Sequence, residues 1–422
     1  MADDRRASRG RLLSRDGRIL LVAHGVRLFA YGFLSVILGP YLALKGLSPV
    51  QVGAVFTAAL GGGALTTIAL TAVADRVGRR RVLMAGALLM ALAGAAFALS
   101  DRLIWLAVAA FVGAISPSGK EVGPFLPVEQ AILPETTEAA RRTSAFAVYN
   151  LVGSLTGAFG ALAVGLPGAV GLPGRQGFQA LIWGYVAAAL ILAALYGGLT
   201  SRVETGGPPA GERPRWFGVT RSRGLLARLA ALFALDAFAG GFVVQGMVAY
   251  WFHLRYGVET AGLAGIFFGT NLLAALSFLA AAPLARRFGL LNTMVFTHLP
   301  SNVLLILVPL MPSLPLAVAV LLVRHLLSQL DVPTRQSYTM AVVAPEERSA
   351  VAGVTAVARN TAAAIAPVFA GATLAAPALG LPFLVAGGLK IVYDLAIFAW
   401  FRGVRPPEEQ QWAAQALSAP NQ

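Results

Sequence analysis

The feature that most constrains this 422-residue chain is a recurring one: twelve apolar stretches, each long enough to cross a bilayer, separated by short polar segments. A helix needs about 20 apolar residues to traverse roughly 30 Å of hydrocarbon, because each residue advances about 1.5 Å. The stretches are 18–43, 49–73, 82–99, 103–132, 144–166, 178–200, 225–251, 260–284, 292–312, 315–341, 350–376 and 382–402. Backbone N–H and C=O groups in lipid must be satisfied inside the segment, so stretches of this kind are helices and the expected class is an all-α polytopic membrane protein. The composition agrees, with 57% apolar and 12% charged residues and a mean hydropathy of +0.72. A soluble chain carries roughly 25% charged residues to cover its surface, and a disordered one is far less hydrophobic. The fourth stretch is too long for one straight crossing, and Ser116-Pro117-Ser118-Gly119 and Pro124 are expected to break it. Segment 19–44 exceeds the apolar region of about 7–15 residues in a signal peptide and is read as a retained span.

Charge tests the layout. With both termini on one face, that face holds 22 of the 33 Lys and Arg, and the opposite face only Lys45, Arg102, Arg175 and Arg255. Basic residues accumulate in cytoplasmic loops, so both termini are expected to be cytoplasmic and the protein to sit in the cell membrane. The net charge of +14 then reflects topology in a lipid bilayer and no nucleic-acid partner. Segment 201–224 is the longest polar stretch between spans, contains Gly206-Gly207-Pro208-Pro209 and lies at the midpoint. It reads as a linker. The expected organisation is an N-tail (1–17), a six-helix bundle (18–200), the linker (201–224), a second bundle (225–402) and a C-tail (403–422).

The chain has no cysteine, which excludes disulfides, thiolate metal sites and Cys nucleophiles. It contains no HExxH, GxSxG or GxxxxGK[ST] motif and no His/carboxylate cluster at metal-ligand spacing. Neither an enzyme nor a bound cofactor or metal is expected. With no ATP-binding module, the energy source for any transport is a gradient.

Sliding the chain on itself at an offset of 211 places Gly46 on Gly257, Arg76 on Arg287 and Gly78 on Gly289. At an offset of 206, Pro127-Val128-Glu129-Gln130 lies over Pro333-Thr334-Arg335-Gln336. Matches near half the chain length, on either side of the linker, predict two like-oriented halves. Such halves imply a pseudo-twofold axis along the membrane normal.

The run Thr71-Ala72-Val73-Ala74-Asp75-Arg76-Val77-Gly78-Arg79-Arg80-Arg81-Val82-Leu83 resembles the signature loop between the second and third helices of the major facilitator superfamily (G-x-L-a-D-R-x-G-R-R/K-x-x-l). Thr71 stands where a glycine is usual. With the spans and the midpoint linker, the resemblance extends over nearly the whole chain. It implies twelve transmembrane helices in two pseudo-twofold-related bundles that rock about a central small-molecule site, in a monomer. It also implies a cytoplasmic gate formed by Asp75, Arg76, Gly78, Arg79 and a fourth-helix carboxylate, for which Glu129 is the candidate partner of Arg79. In physical terms, an anion such as Asp75 suits a helix N-terminus, and Arg79 offers a fork for a carboxylate. Arg80 and Arg81 need only follow the positive-inside bias.

Each ionisable group at mid-bilayer costs about 2.5–3.5 kcal/mol, so such groups face a cavity or a partner. Arg27, Asp236, Arg324, His325 and Arg359 lie near mid-span, with Lys120, Glu121 and Asp331 closer to the cytoplasm. In the superfamily the first, fourth, seventh and tenth helices line the cleft, which would bring Arg27, Glu121, Asp236, Arg324 and Asp331 into one chamber. Asp236, the only acid of the seventh span, is the first proton-coupling candidate, followed by Asp331 and Glu121. The competing reading is a pair of static bridges, Asp236–Arg27 and Asp331–Arg335. Arg27, Arg324, His325, Asn271 and Arg359 are the substrate-cavity candidates. His24 and His325 can relay protons or serve as structural hydrogen-bonding groups. Lys390 and Asp394, at i and i+4, are expected to form a local salt bridge. Asn150 and Asn360 can bond across helices, and Trp183, Tyr250 and Trp251 can anchor at the interface or pack.

The run Gly153-x-x-x-Gly157-x-x-Gly160 lets helix backbones approach closely. It partly resembles the fifth-helix signature of proton-driven antiporters, G-x-x-x-G-P-x-x-G-G, with Ala158 and Ala161 in place of the proline and the last glycine. The fourth span lacks the arginine usual in drug/proton antiporters, and Pro367 would bend the eleventh span instead. The expected function is proton-coupled efflux (antiport) of a small organic molecule by alternating access. Uptake or facilitated diffusion of a small organic anion drawn by Arg27 and Arg324 is the alternative. A non-transporting membrane sensor is the rival from another class.

Overall fold

A computed structural model describes residues 13–137, 142–172, 174–204, 223–343, 348–374 and 380–403, and all regular structure among them is helical. The helices of the first half are α1 (Arg15–Leu44), α2 (Pro49–Val77), α3 (Arg79–Leu99), α4 (Leu103–Val112), α5 (Phe125–Ile132), α6 (Arg142–Ala163), α7 (Leu166–Ala169) and α8 (Gly174–Gly197). Those of the second half are α9 (Arg223–Phe242), α10 (Gln245–Tyr256), α11 (Thr260–Phe288), α12 (Leu290–Leu307), α13 (Leu314–Leu327), α14 (Asp331–Ala341), α15 (Arg348–Leu374) and α16 (Leu381–Phe401). Among the described residues nine helices are long and apolar enough to cross a membrane. Of the remaining expected spans, the fourth and fifth contain shorter apolar helices, Leu103–Val112 and Val148–Ala163. The eleventh is α15, 27 residues long, whose apolar run is interrupted by Arg359 and Asn360.

The helix ends follow from local chemistry. Ser14 caps α1, its hydroxyl accepting from Gly17 N–H at 3.3 Å. Ser48 and Gln51 form a reciprocal capping box on α2. A single residue, Gly78 at φ +108°, separates α2 from α3, a conformation that a side chain disfavours.

The expected break in the fourth stretch lies between α4 and α5, where Ser116 Oγ donates to Lys120 O at 2.6 Å. A second break interrupts the seventh stretch, which the sequence reads as continuous over 225–251. There α9 ends after Gly240-Gly241, Val244 is extended, and α10 restarts with Gly246 N–H donating to Pro117 O at 2.9 Å. Paired glycines and β-branched residues are poor helix formers, so the chain yields at that point. The tenth stretch is likewise divided between α13 and α14.

The chain forms two compact units, one of residues Met1–Gly211 and Val244–Phe268, the other of Glu212–Val243 and Gly269–Gln422. Residues 244–268, placed in the second bundle on sequence grounds, thus belong with the first unit, where α10 packs on α1. In the first unit α1 also packs on α6 and α8, and α3 on α8. A Cβ at Gly160 would run into the backbone carbonyl of Phe29, and one at Gly32 into that of Gly157. The small-residue run therefore does bring α6 backbone-close to α1. In the second unit α9 packs on α15 and α16, and α12 on α16. The glycines paired by the offset of 211 share their backbone state: φ is +85° at Gly46 and +64° at Gly257, +108° at Gly78 and +86° at Gly289.

Candidate functional site

Each unit buries one charge cluster in its helix core. In the first unit His24 and Arg27 sit three residues apart on α1 and so share a face. Arg27 is fully buried. Its guanidinium donates to Glu121 through Nε at 3.1 Å and Nη2 at 2.8 Å, and to Glu129 through Nη1 and Nη2, both at 2.8 Å. Glu121 comes from the break between α4 and α5, and Glu129 from α5. Tyr196 on α8 donates to Glu129 Oε1 at 2.6 Å, and Tyr149 on α6 donates to Glu129 Oε2. His24 Nδ1 lies 3.0 Å from Glu121 Oε1, and the ring stacks on Tyr149 with 3.7 Å between centroids. A Cβ at Gly153 would collide with that ring, so the first glycine of the fifth-span run makes room for His24. Phe125 covers the guanidinium, 4.6 Å from ring centre to Arg27 Cζ.

In the second unit the centre is Asp236 on α9. Lys390 Nζ donates to its Oδ1 at 2.5 Å, Arg335 Nη1 to its Oδ2 at 3.1 Å, and Arg359 Nη1 approaches Oδ2 at 3.5 Å. Arg335 also holds Asp331 at 3.1 Å. His298 on α12 lies between acids, with Nδ1 at 2.7 Å from Asp394 Oδ1 and Nε2 at 4.0 Å from Asp236 Oδ1. Asn302 donates to the other oxygen of Asp394 at 2.8 Å. Arg324 on α13 lies within electrostatic reach of Asp331 and Asp236, and its buried Nε has no hydrogen-bond partner among the described residues.

Several sequence pairings are corrected here. Arg27 and Asp236 each find counter-ions inside their own unit, which replaces the Asp236–Arg27 bridge of the competing reading; its other bridge, Asp331–Arg335, is present. Lys390 and Asp394 do not bond to each other. Both are buried, and interhelical partners at 2.5 and 2.7 Å outcompete a one-turn neighbour, a contact worth only about 0.2–0.5 kcal/mol. The bonding partners of Glu129 are Arg27, Tyr149 and Tyr196, not Arg79. Among the described residues a carboxylate at the signature loop is Glu204, which accepts from the backbone N–H of Arg79 at 2.6 Å and of Arg80 at 3.1 Å, capping α3. Glu204 lies in the segment read as linker, where nothing in the sequence marks it. The side chains of Asp75 and Arg76 lie outside the described residues.

His325 Nδ1 contacts Leu321 O one turn back at 2.8 Å, and Asn271 is half-buried on α11. Asn150, Asn360 and Trp183 are exposed, whereas Tyr250 and Trp251 are buried. Tyr149, Tyr196, His298 and Asn302 were not singled out from sequence. Each is a common residue type on an apolar helix, and only the fold shows that it meets a charge. At the edge, Asp101 bridges Lys45 at 2.7 Å and Arg175 at 3.1 Å. The hydrogen bond from Lys45 holds its carboxyl below the usual carboxylate range.

The model of the Major Facilitator Superfamily matches residues 20–328. The uncharacterized membrane protein YJR124C of Saccharomyces cerevisiae is 28% identical over 429 residues, covering 93% of this chain and 95% of its own. The crystal structure of the nucleoside transporter NupG superposes with a TM-score of 0.74 at 13% identity, covering 92% of this chain and all of that one. A bacterial homolog to the human lysosomal transporter Spinster gives 0.70 at 17% identity, covering 92% and 96%. These structural likenesses speak to the fold. The family match, the apolar helices and the buried charge clusters together identify the chain as a multi-pass membrane transporter belonging to the Major Facilitator Superfamily.

Proposed function

We propose that the protein exports a small organic molecule in exchange for protons, and that the proton is carried in the first unit by Glu121 and His24. One observation carries this reading: a single guanidinium, Arg27, is shared by two carboxylates, the buried Glu129 and the partly buried Glu121. With His24 neutral, the cluster holds one unmatched negative charge. An unmatched buried charge is costly, and one proton cancels it. Glu129 is sealed and held by two tyrosines, whereas the Glu121 side chain is 15% exposed and touches His24. The proton therefore enters at the His24–Glu121 contact, and Glu129 stays as the fixed anion. Loading and unloading that site alters the attraction between α1 and the α4–α5 break, which ties proton binding to conformation. Asp236, the first candidate from sequence, is outnumbered by Lys390, Arg335 and Arg359 and serves as a structural anion. The fifth-span glycine run is partly like that of antiporters, but Ala158 and Ala161 replace its proline and last glycine, which weakens its weight for export.

The test needs no substrate. Proteoliposomes on a solid-supported membrane, stepped from alkaline to acidic buffer, should give a transient current from proton binding. His24→Gln and Glu121→Gln should each reduce it at least tenfold, and Asp236→Asn should leave it. A current that survives both of the first two substitutions removes the proton from this cluster. Direction is read in everted vesicles energised acid-inside, where an exporter accumulates its substrate.

A further inference from the structure

The second unit has the opposite charge imbalance. Around Asp236, Asp331 and Asp394 stand four cations: Lys390, Arg335, Arg359 and Arg324. With His298 neutral, three carboxylates leave one positive charge unmatched. The imbalance can be localised. Lys390 and Arg335 are spent on Asp236 and Asp331 at 2.5–3.1 Å. Arg359 reaches Asp236 only at 3.5 Å, and 31% of its side chain is exposed. Arg324 is half-buried, forms no ion pair among the described residues, and keeps a buried Nε with no acceptor. A charged donor left without an acceptor away from water is unfavourable, so a site of this kind is completed by a ligand that brings one. Arg359 on α15 lies 3.5 Å from Asp236, and Arg324 on α13 lies within electrostatic reach of Asp236 and Asp331, so both arginines border the same pair of acids.

We propose that Arg324 and Arg359 form the substrate-recognition site and that it takes an organic monocarboxylate. A planar guanidinium matches a carboxylate in bidentate fashion. The single unmatched charge fits a monoanion better than a phosphate group, which carries about −1.5 to −2 at neutral pH. The inference rests on reading the chain as a transporter and names the substrate class.

The full-length protein in detergent, without any gradient, is titrated with benzoate and lactate, with their amides, and with inorganic phosphate, all at constant ionic strength in chloride. Thermal unfolding is followed by tryptophan fluorescence, since a ligand that binds only the folded form raises the midpoint. At least one monocarboxylate should raise it saturably while its amide does not. Arg324→Gln and Arg359→Gln should each weaken that apparent Kd at least tenfold. Arg228→Gln, whose exposed guanidinium lies 5.9 Å from the Trp400 ring and outside the cluster, should leave it unchanged. Without ligand, Arg324→Gln should unfold at the same temperature as wild type or higher, because it removes an unpaired charge; a purely structural arginine would give a lower one. Should Arg324→Gln fail to fold, Arg324→Lys, which keeps the charge but not the fork, should still weaken binding severalfold. The proposal is overturned if neither monocarboxylate acts beyond chloride, if the amides act equally, if phosphate alone stabilises, or if the arginine variants bind as wild type. Binding is read without proton flux, so it stands or falls separately from the coupling assigned to His24 and Glu121.

Discussion

Arg27→Gln is the sharpest perturbation of the first unit. In the native protein the guanidinium contacts both carboxylates at 2.8–3.1 Å with no exposed surface of its own. Removing one partner of a buried ion pair costs roughly 3–5 kcal/mol, because the remaining charge is stranded. Here two acids are stranded together, which places the expected loss near the top of that range, about 5 kcal/mol. Glu129→Gln should behave differently. It removes the unmatched negative charge, leaves Arg27 paired with Glu121, and keeps a carbonyl oxygen for Tyr149 or Tyr196, so about 1 kcal/mol is expected. The double variant strands only Glu121 and should lie below the sum of the singles by about 1–3 kcal/mol, the size of a direct coupling between contacting residues. Reversible unfolding in mixed micelles, followed by tryptophan fluorescence, measures all four proteins. Strict additivity, or a loss under about 1 kcal/mol for Arg27→Gln, would refute the claim that the guanidinium neutralises both acids.

The second unit should show an ordering. Arg335→Gln strands Asp331 while Asp236 keeps Lys390 and Arg359, and it should cost more than Lys390→Gln, which leaves Asp236 two arginines and strands no acid; equal losses in the same assay would argue against Arg335 as the counter-ion of Asp331. At the signature loop, Glu204→Ala should cost about 1 kcal/mol through loss of the α3 cap. Gly78→Ala should cost a further 1–2 kcal/mol or so from a left-handed φ, with its Cβ only 3.1 Å from Glu204 Oε1. At the opposite end, the Asp101 carboxyl is lowered in the folded protein, so its bridge is present above the ordinary carboxylate range and is lost as pH falls through the lowered value. Being largely exposed, it should contribute no more than about 1 kcal/mol, and Asp101→Asn should flatten the acid limb of a stability–pH profile slightly.

The spans were legible because bilayer thickness sets a length that no soluble helix requires, and the break in the fourth stretch because Pro117 and Pro124 remove donors. The break at 243–244 was not. Gly240 and Gly241 are common in membrane helices, and the partner that fixes the break, the carbonyl of Pro117, is more than 120 residues away in the chain. Arg27, Glu121, Asp236, Asp331 and Arg359 stood out because any charge in an apolar stretch does. Apart from the one-turn Asp331–Arg335 bridge, their pairings did not, because depth along a helix leaves rotation about its axis undetermined. Asp394 shows the point: its chain neighbour Lys390 shares its face, yet a difference of about 40° around the axis sends one to α9 and the other to α12.

The internal repeat explains why the two clusters look alike with signs exchanged. In the first unit a cation on the leading helix, Arg27, meets an anion, Glu129, on the helix after the fourth-span break. In the second unit an anion on the leading helix, Asp236, meets a cation, Arg335, on the helix after the tenth-span break. Glu129 and Arg335 are the residues aligned by the offset of 206. A duplicated bundle preserves positions more readily than it preserves charge, because a buried pair tolerates exchange of its members so long as the sum is kept. What neither unit keeps is that sum. The first carries an extra acid in Glu121 and the second an extra base in Arg324, and each imbalance is expensive in a low-dielectric core unless something mobile cancels it. A static scaffold would have no reason to hold both. A carrier that loads a proton on one unit and an anion on the other has a use for each.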